Sequence, residues 1–271
     1  MQLDKTYIAI RERDFMEIMD LSLHVVKRFA GPLLVALLCG IVPVAVLTHL
    51  WIYPVAAMSE DAEWMLAYSF WVGFLAILAA PLAGAPATLL LGQALFMQRP
   101  SGQRIARDFL AALPQLILFQ LLLRGLLIVL FFTAFVPFVL RSYLGEIVLL
   151  ERNPRTSGKL SRISTMRRAQ ALHGGSGGEL FGRWLGSMLV GGILIAIIML
   201  ALWGCAQWLS EMAELDRFTY AVFFQFAVWV TVGFFTVVRF LSYLDLRIRR
   251  EGWEVELKMR AEAARLQSEL V

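Results

Sequence analysis

The sequence predicts an all-α, polytopic transmembrane helical bundle of about six spans with a central hairpin. Two observations carry this. The chain is 59% hydrophobic and only 17% charged, whereas a soluble domain is nearer half apolar and a quarter charged. The apolar residues also fall in long charge-poor blocks, and a bilayer span needs about 20 such residues. Charge then sets the orientation. All Lys and Arg except Arg124, Arg141 and Arg217 lie in four regions, residues 5–28, 99–107, 152–183 and 239–265. Lys and Arg near span ends collect on the cytoplasmic side, so these regions share one side. The acidic outer loops carry Glu60, Asp61, Glu63, Glu211, Glu214 and Asp216.

The elements follow in order. Residues 1–29 form an interfacial segment. Within it, Ile8, Phe15, Ile18, Met19, Ser22, Val25, Val26 and Phe29 recur at helical spacing. Such a face suits the headgroup boundary or a partner protein, and the direct run into a span favours the boundary. The start is too acidic for a secretory signal peptide. The transmembrane domain covers 30–246, with spans at about 30–54, 64–97, 109–132, 135–150, 184–209 and 218–240. Cys39 and Cys205 lie in apolar blocks and read as small packed side chains.

In the second span, "LAAPLAGAPATLLLG" contains Pro81 and Pro86. Proline removes a helix hydrogen bond, so a kink or local unwinding is expected. Broken helices sometimes form substrate sites, though a kink can serve packing alone. The neighbouring Ala and Gly residues permit close helix contact.

Residues 109–150 are too long for one span, and only a hairpin puts all four basic regions on one side. It carries the sharpest polar group: Gln120 and Arg124 on its first arm, Arg141 and Glu146 on its second. Ionisable groups at membrane depth face protein or a wet cavity. The set is either a polar pathway for a solute, proton or lipid headgroup, or an internal cluster that locks the hairpin.

The basic loop 151–183 is rich in Ser and Gly and lies where anionic headgroups attract cations. Its "GGSGG" lacks the Lys of a phosphate-binding loop and reads as a hinge. The tail 247–271 is a cytoplasmic helix, with Asp245–Arg249, Glu254–Lys258 and Glu256–Arg260 at i,i+4 spacing. It either docks on a partner or stays solvated.

No catalytic set emerges. His24, His49 and His173 share no site, and neither His-Glu-x-x-His nor Gly-x-Ser-x-Gly occurs. The residues imply no enzyme activity, no cofactor, no metal and no nucleic-acid partner.

The stretches "FVLRSYLGEIVLLERNP", "TMRRAQAL", "GELFGRWLGSMLV" and "YLDLRIRREGWEVEL" resemble a group of bacterial six-span inner-membrane proteins. The group includes the membrane domain found beside glycerophosphodiester phosphodiesterases. The resemblance covers roughly residues 110–260. It implies a hairpin ending in an acidic residue, here Glu151, then a short cytoplasmic element and the next span. The accompanying hydrolase domain has no counterpart in this chain, so its activity is not carried over. The expected protein is a multi-pass component of a bacterial cytoplasmic membrane with both termini inside. The first functional expectation is a non-enzymatic membrane subunit or scaffold. The second is a permease-like component for a lipid or small solute.

Overall fold

The computed structural model describes residues 13–56, 61–96, 100–123, 125–126, 142–151, 164–209 and 216–251. These residues are all-helical, with no strand among them. In chain order the helices are α1 (Phe15–Arg28), α2 (Ala30–Ala56), α3 (Asp61–Ala83), α4 (Ala85–Phe96), α5 (Gly102–Leu116), α6 (Leu144–Glu151), α7 (Thr165–His173), α8 (Gly177–Leu209) and α9 (Arg217–Glu251). A π-helical segment, Ile117–Leu123, continues α5. Five stretches are long and apolar enough to cross a membrane: Ala30–Ala56, Glu63–Ala94, Gly102–Leu123, Gly177–Leu209 and Arg217–Arg250. Of the expected second hairpin arm, α6 is the described part.

Only Phe29 separates α1 from α2. The apolar face of α1, which the sequence assigns to the headgroups, packs in part against protein. Ile18, Ser22 and Val25 are buried, with Ile18 and Val25 in one core with Leu33, Val237, Phe240 and Leu241. The physical reason is that α9 runs past the base of the spans and offers an apolar surface there. Outward-facing Leu34, Leu47, Leu189, Ile193 and Leu200 are exposed, as lipid-facing side chains are. Cys39 and Cys205 share that fate: both are free and exposed, not packed, because their faces of α2 and α8 point away from the bundle.

The Pro81–Pro86 segment interrupts the helix at a single residue, Gly84, between α3 and α4, where Pro86 has no N–H to donate, and backbone bonds span the break. Gly84 N–H donates to Ala80 O at 2.8 Å, and Thr88 N–H donates to Gly84 O at 3.0 Å. The junction is tight because glycines face it. A Cβ on Gly40 of α2 would lie 2.0 Å from Ala83 O and 3.1 Å from Pro86 Cδ. A Cβ on Gly84 would lie 2.6 Å from Thr236 Oγ1 of α9. Backbones this close are what small residues permit between membrane helices.

The described part of the expected loop, residues 164–183, is largely helical. Residues 165–173 form α7 and α8 begins at Gly177, so the hinge shrinks to a turn at 174–176. Gly175 has φ of +80°, a conformation that glycine adopts without strain. Likewise α9 continues to Glu251 rather than ending near 240. The described structure does not reach residues 1–12, 152–163 or 252–271, so the rest of the loop, the tail and its two further ion pairs lie outside it.

Gly40→Val tests the junction. The new side chain overlaps the Ala83 carbonyl, so thermal stability in detergent should fall by about 1–3 kcal/mol. Gly31→Ala, where a Cβ meets nothing within 4 Å, should change it little.

Candidate functional site

The described site begins with the end of α9. Its polar side chains recur at helical spacing as Arg239, Ser242, Asp245 and Arg249, with Tyr243 and Arg247 beside them. Between them they bind neighbours on several helices. Arg239 Nε donates to Glu146 Oε1 at 3.1 Å, and its Nη2 donates to Glu146 Oε2 at 3.3 Å and to Ser142 O at 2.8 Å. Asp245 is the hub. One oxygen accepts from the Arg13 N–H at 2.9 Å. The other accepts from Arg183 Nη2 at 2.7 Å and lies 3.1 Å from Arg249 Nη2. Arg183 also reaches Glu179 at 2.7 Å, and Arg249 forks onto the same carboxylate, Nη1 lying at 2.9 Å.

A second carboxylate closes the other side. Glu151 accepts from Arg168 Nε at 2.6 Å, Arg168 Nη2 at 3.1 Å and the Tyr243 hydroxyl at 2.8 Å. Burial opposes its ionisation, but the Arg168 and Tyr243 hydrogen bonds prevail and hold its carboxyl below the usual range. Gln115 of α5 donates to Thr165 Oγ1 of α7 at 2.7 Å. The network thus joins α1, α6, α7, α8 and α9.

His173 latches α7 to α6. Its ring stacks on Tyr143 with centroids 5.7 Å apart. The Tyr143 N–H donates to Nε2 at 3.2 Å, and Nδ1 lies 2.6 Å from Ala169 O. A carbonyl only accepts, so the arrangement requires the neutral Nδ1–H tautomer. Burial pushes the imidazole below its ordinary 6.5.

Beside this network lies a cavity of about 380 Å³. Ala76, Ile77, Ala80, Phe224, Val228 and Phe235 build an apolar wall, and Gly73, Gly191 and Gly192 leave it open. Its polar lining includes Ser142, Glu146, Arg183, Arg239 and Ser242. At the opposite end of α9, a separate aromatic cluster packs Trp64 on Tyr68 and Tyr220 on Phe224. There Ser69 Oγ and Tyr220 OH share a 2.7 Å hydrogen bond, and Arg217 stacks over Trp64.

Of the sequence-predicted residues, Gln120 packs at Gly145, next to Glu146 in the chain, while Glu146 itself binds Arg239. A Cβ on Gly145 would lie 3.5 Å from Gln120 Nε2, and the Gln120 and Glu146 side chains are both buried. Arg124 and Arg141 lie outside the described residues. Pro81 lines the cavity, whereas Pro86 packs at Gly40. Sequence reasoning missed Arg239, Arg183, Asp245, Glu151, Arg168 and His173 as a set. The available signal was the lone acid within "RFLSYLDLRIRR": Asp245 stands four residues from Arg249 and six from Arg239, on a helix whose other face is apolar. Among the described residues, no group of three His, Cys, Asp or Glu is placed to hold a metal ion. No family model, curated protein or solved structure matches the chain.

His173 gives a pH prediction. Because the fold depresses its pKa, the native state binds fewer protons than the unfolded chain. Its contribution to stability is therefore complete above 6.5 and declines as pH falls. A protonated Nε2 would also face the Tyr143 N–H, donor against donor. Thermal stability should drop from about pH 7.5 to about pH 5.5, and His173→Gln should flatten that part of the profile. An unchanged slope in the variant would remove His173 as the cause.

Proposed function

We propose that the protein is a non-enzymatic, permease-like membrane component that takes a lipid-like amphiphile into the cavity between α3, α6, α8 and α9. The observation that carries this reading is the cavity's two-part chemistry. One part is apolar wall and the other is bounded by Arg239, Arg183 and Glu146. Ligand sites commonly combine a mainly apolar lining with a few placed polar groups. Ionic conduction is a weaker account, since Glu146 is held by two hydrogen bonds from Arg239. A relay needs groups that are free to exchange partners.

The proposed setting is a bacterial cytoplasmic membrane, with six spans and both termini inside. The basic end of α9 then lies at the cytoplasmic headgroups, with α1 beside it and the basic loop near anionic lipids. This places the cavity's arginines near the level where an amphiphile carries its headgroup. A second reading, a membrane subunit or scaffold, draws on the ion-paired end itself. Five helices joined there make a fixed platform next to the 247–271 tail.

The test fills the cavity. Gly192 and Gly73 line it, and a Cβ on either meets nothing within 4 Å. Gly192→Phe and Gly73→Leu should fold normally and retain several-fold less copurified lipid-like amphiphile, as read by mass spectrometry after mild-detergent extraction. Equal retention in wild type and both variants would count against the amphiphile reading. Loss of a stoichiometric protein partner on deleting residues 252–271, with no change on filling the cavity, would favour the scaffold.

A further inference from the structure

The polar lining of the cavity contains donors that the fold leaves without acceptors. Arg183 lines the cavity and is only 9% exposed, yet its Nη1 is buried with no hydrogen-bond partner. Ser142 Oγ is buried and unpartnered on the same lining. Arg239 uses Nε and Nη2 for Glu146 and Ser142, and these bonds leave Nη1 over. Its side chain is 28% exposed. The Ser142 carbonyl lies 2.8 Å from Arg239 Nη2, so serine and guanidinium sit side by side.

Native proteins rarely leave buried donors unpaired, and each such group asks for an explanation. Here a single one covers Arg183 Nη1 and Ser142 Oγ, with the more exposed Arg239 beside them: an acceptor-rich group that enters from the cavity. The donor balance matches. The charged side chains lining the cavity are two arginines and one glutamate; Arg183 is ion-paired with Asp245 and Glu179 and Arg239 with Glu146, so the polar end offers spare N–H and O–H donors rather than net positive charge. A guanidinium binds carboxylate or phosphate oxygens more strongly than neutral ones. The size points to one chain. About 380 Å³ lies at the small end of ligand cavities, and the apolar wall adjoins the donor-rich end.

We infer that the site binds a single-chain amphiphile with an anionic headgroup, a carboxylate or a phosphate monoester or diester. Its chain lies along Ala76, Ile77, Phe224, Val228 and Phe235. Its headgroup oxygens take up Arg239 Nη1, Arg183 Nη1 and Ser142 Oγ. This rests on the amphiphile reading above and adds the headgroup class, the chain number and the residues that select them.

The experiment uses the full-length protein in detergent and native mass spectrometry, with four probes at equal concentration. These are palmitic acid, lysophosphatidylglycerol, lysophosphatidylcholine and a neutral monoacylglycerol. The acidic probes should bind about tenfold more tightly than the monoacylglycerol, equivalent to about 1.4 kcal/mol. Palmitic acid against lysophosphatidylglycerol then separates carboxylate from phosphate, and lysophosphatidylcholine reports what a compensating cation costs. Ser142→Ala removes an unpartnered hydroxyl, so it should leave thermal stability unchanged while weakening the acidic probes several-fold. Arg183→Lys keeps a positive charge opposite Asp245 but removes the spare nitrogen, and should also weaken the acidic probes several-fold, with Ser142→Ala as the variant that separates binding from stability. Equal binding of acidic and neutral probes, unmoved by either variant but abolished by Gly192→Phe, would overturn the headgroup assignment and leave the amphiphile reading standing. Binding that Gly192→Phe does not touch would overturn both.

Discussion

The Asp245–Arg183 ion pair is the constraint on which the described structure depends most. Both side chains are almost fully buried, at 2% and 9% exposure. Two charges removed from water cost several kcal/mol each unless pairing and hydrogen bonding are complete. For Asp245 they are complete, because Arg13, Arg183 and Arg249 supply donors from three directions. The pair therefore fixes where α1, α8 and α9 meet. It contributes more to a single defined arrangement than to net stability, since a well-packed apolar pair can be as stable as a buried ion pair.

The other contacts at that end follow from this placement. With α9 held by Asp245, Arg239 falls two turns nearer the apolar part of the helix and meets Glu146 of α6. Tyr243, one turn after Arg239 and on the same face, meets Glu151. Because α6 is tied at both its acidic residues, its first turn cannot close over the space beside α3 and α8. The cavity is what remains between a clamped α6 and helices whose glycines, 73, 191 and 192, supply no side chain to fill it. At Gly40 and Gly84 the same small residue has the opposite effect and brings backbones into contact.

The fold class was legible in the sequence because hydropathy and the placement of Lys and Arg are local properties of the chain. Five of the expected spans recur as helices of sufficient length and apolarity. The pairing of charges was not legible, because it depends on which helices become neighbours. Glu146 reads as a member of the hairpin's own polar group with Gln120, Arg124 and Arg141, yet it binds Arg239, 93 residues away. Asp245 and Arg249 were readable as an i,i+4 pair, and they do lie 3.1 Å apart. The stronger partner of Asp245, Arg183, comes from another helix. The α7 segment was missed for a different reason. Its flanking Ser and Gly residues signal a loop, and its helix is stabilised by tertiary contacts: Ala169 and Leu172 are buried against Tyr143 and Tyr243.

A double-mutant cycle at Asp245 and Arg183, read by equilibrium unfolding in detergent, tests the central claim most directly. Asp245→Asn alone removes the buried carboxylate of Arg183, leaving it only the more exposed Glu179, and should destabilise the protein by about 3 kcal/mol. Adding Arg183→Met removes that buried charge and should restore at least half of the loss. If Asp245→Asn stays within about 0.5 kcal/mol of the wild type, the pair does not hold the basic end together, and the account of how the cavity is kept open fails with it.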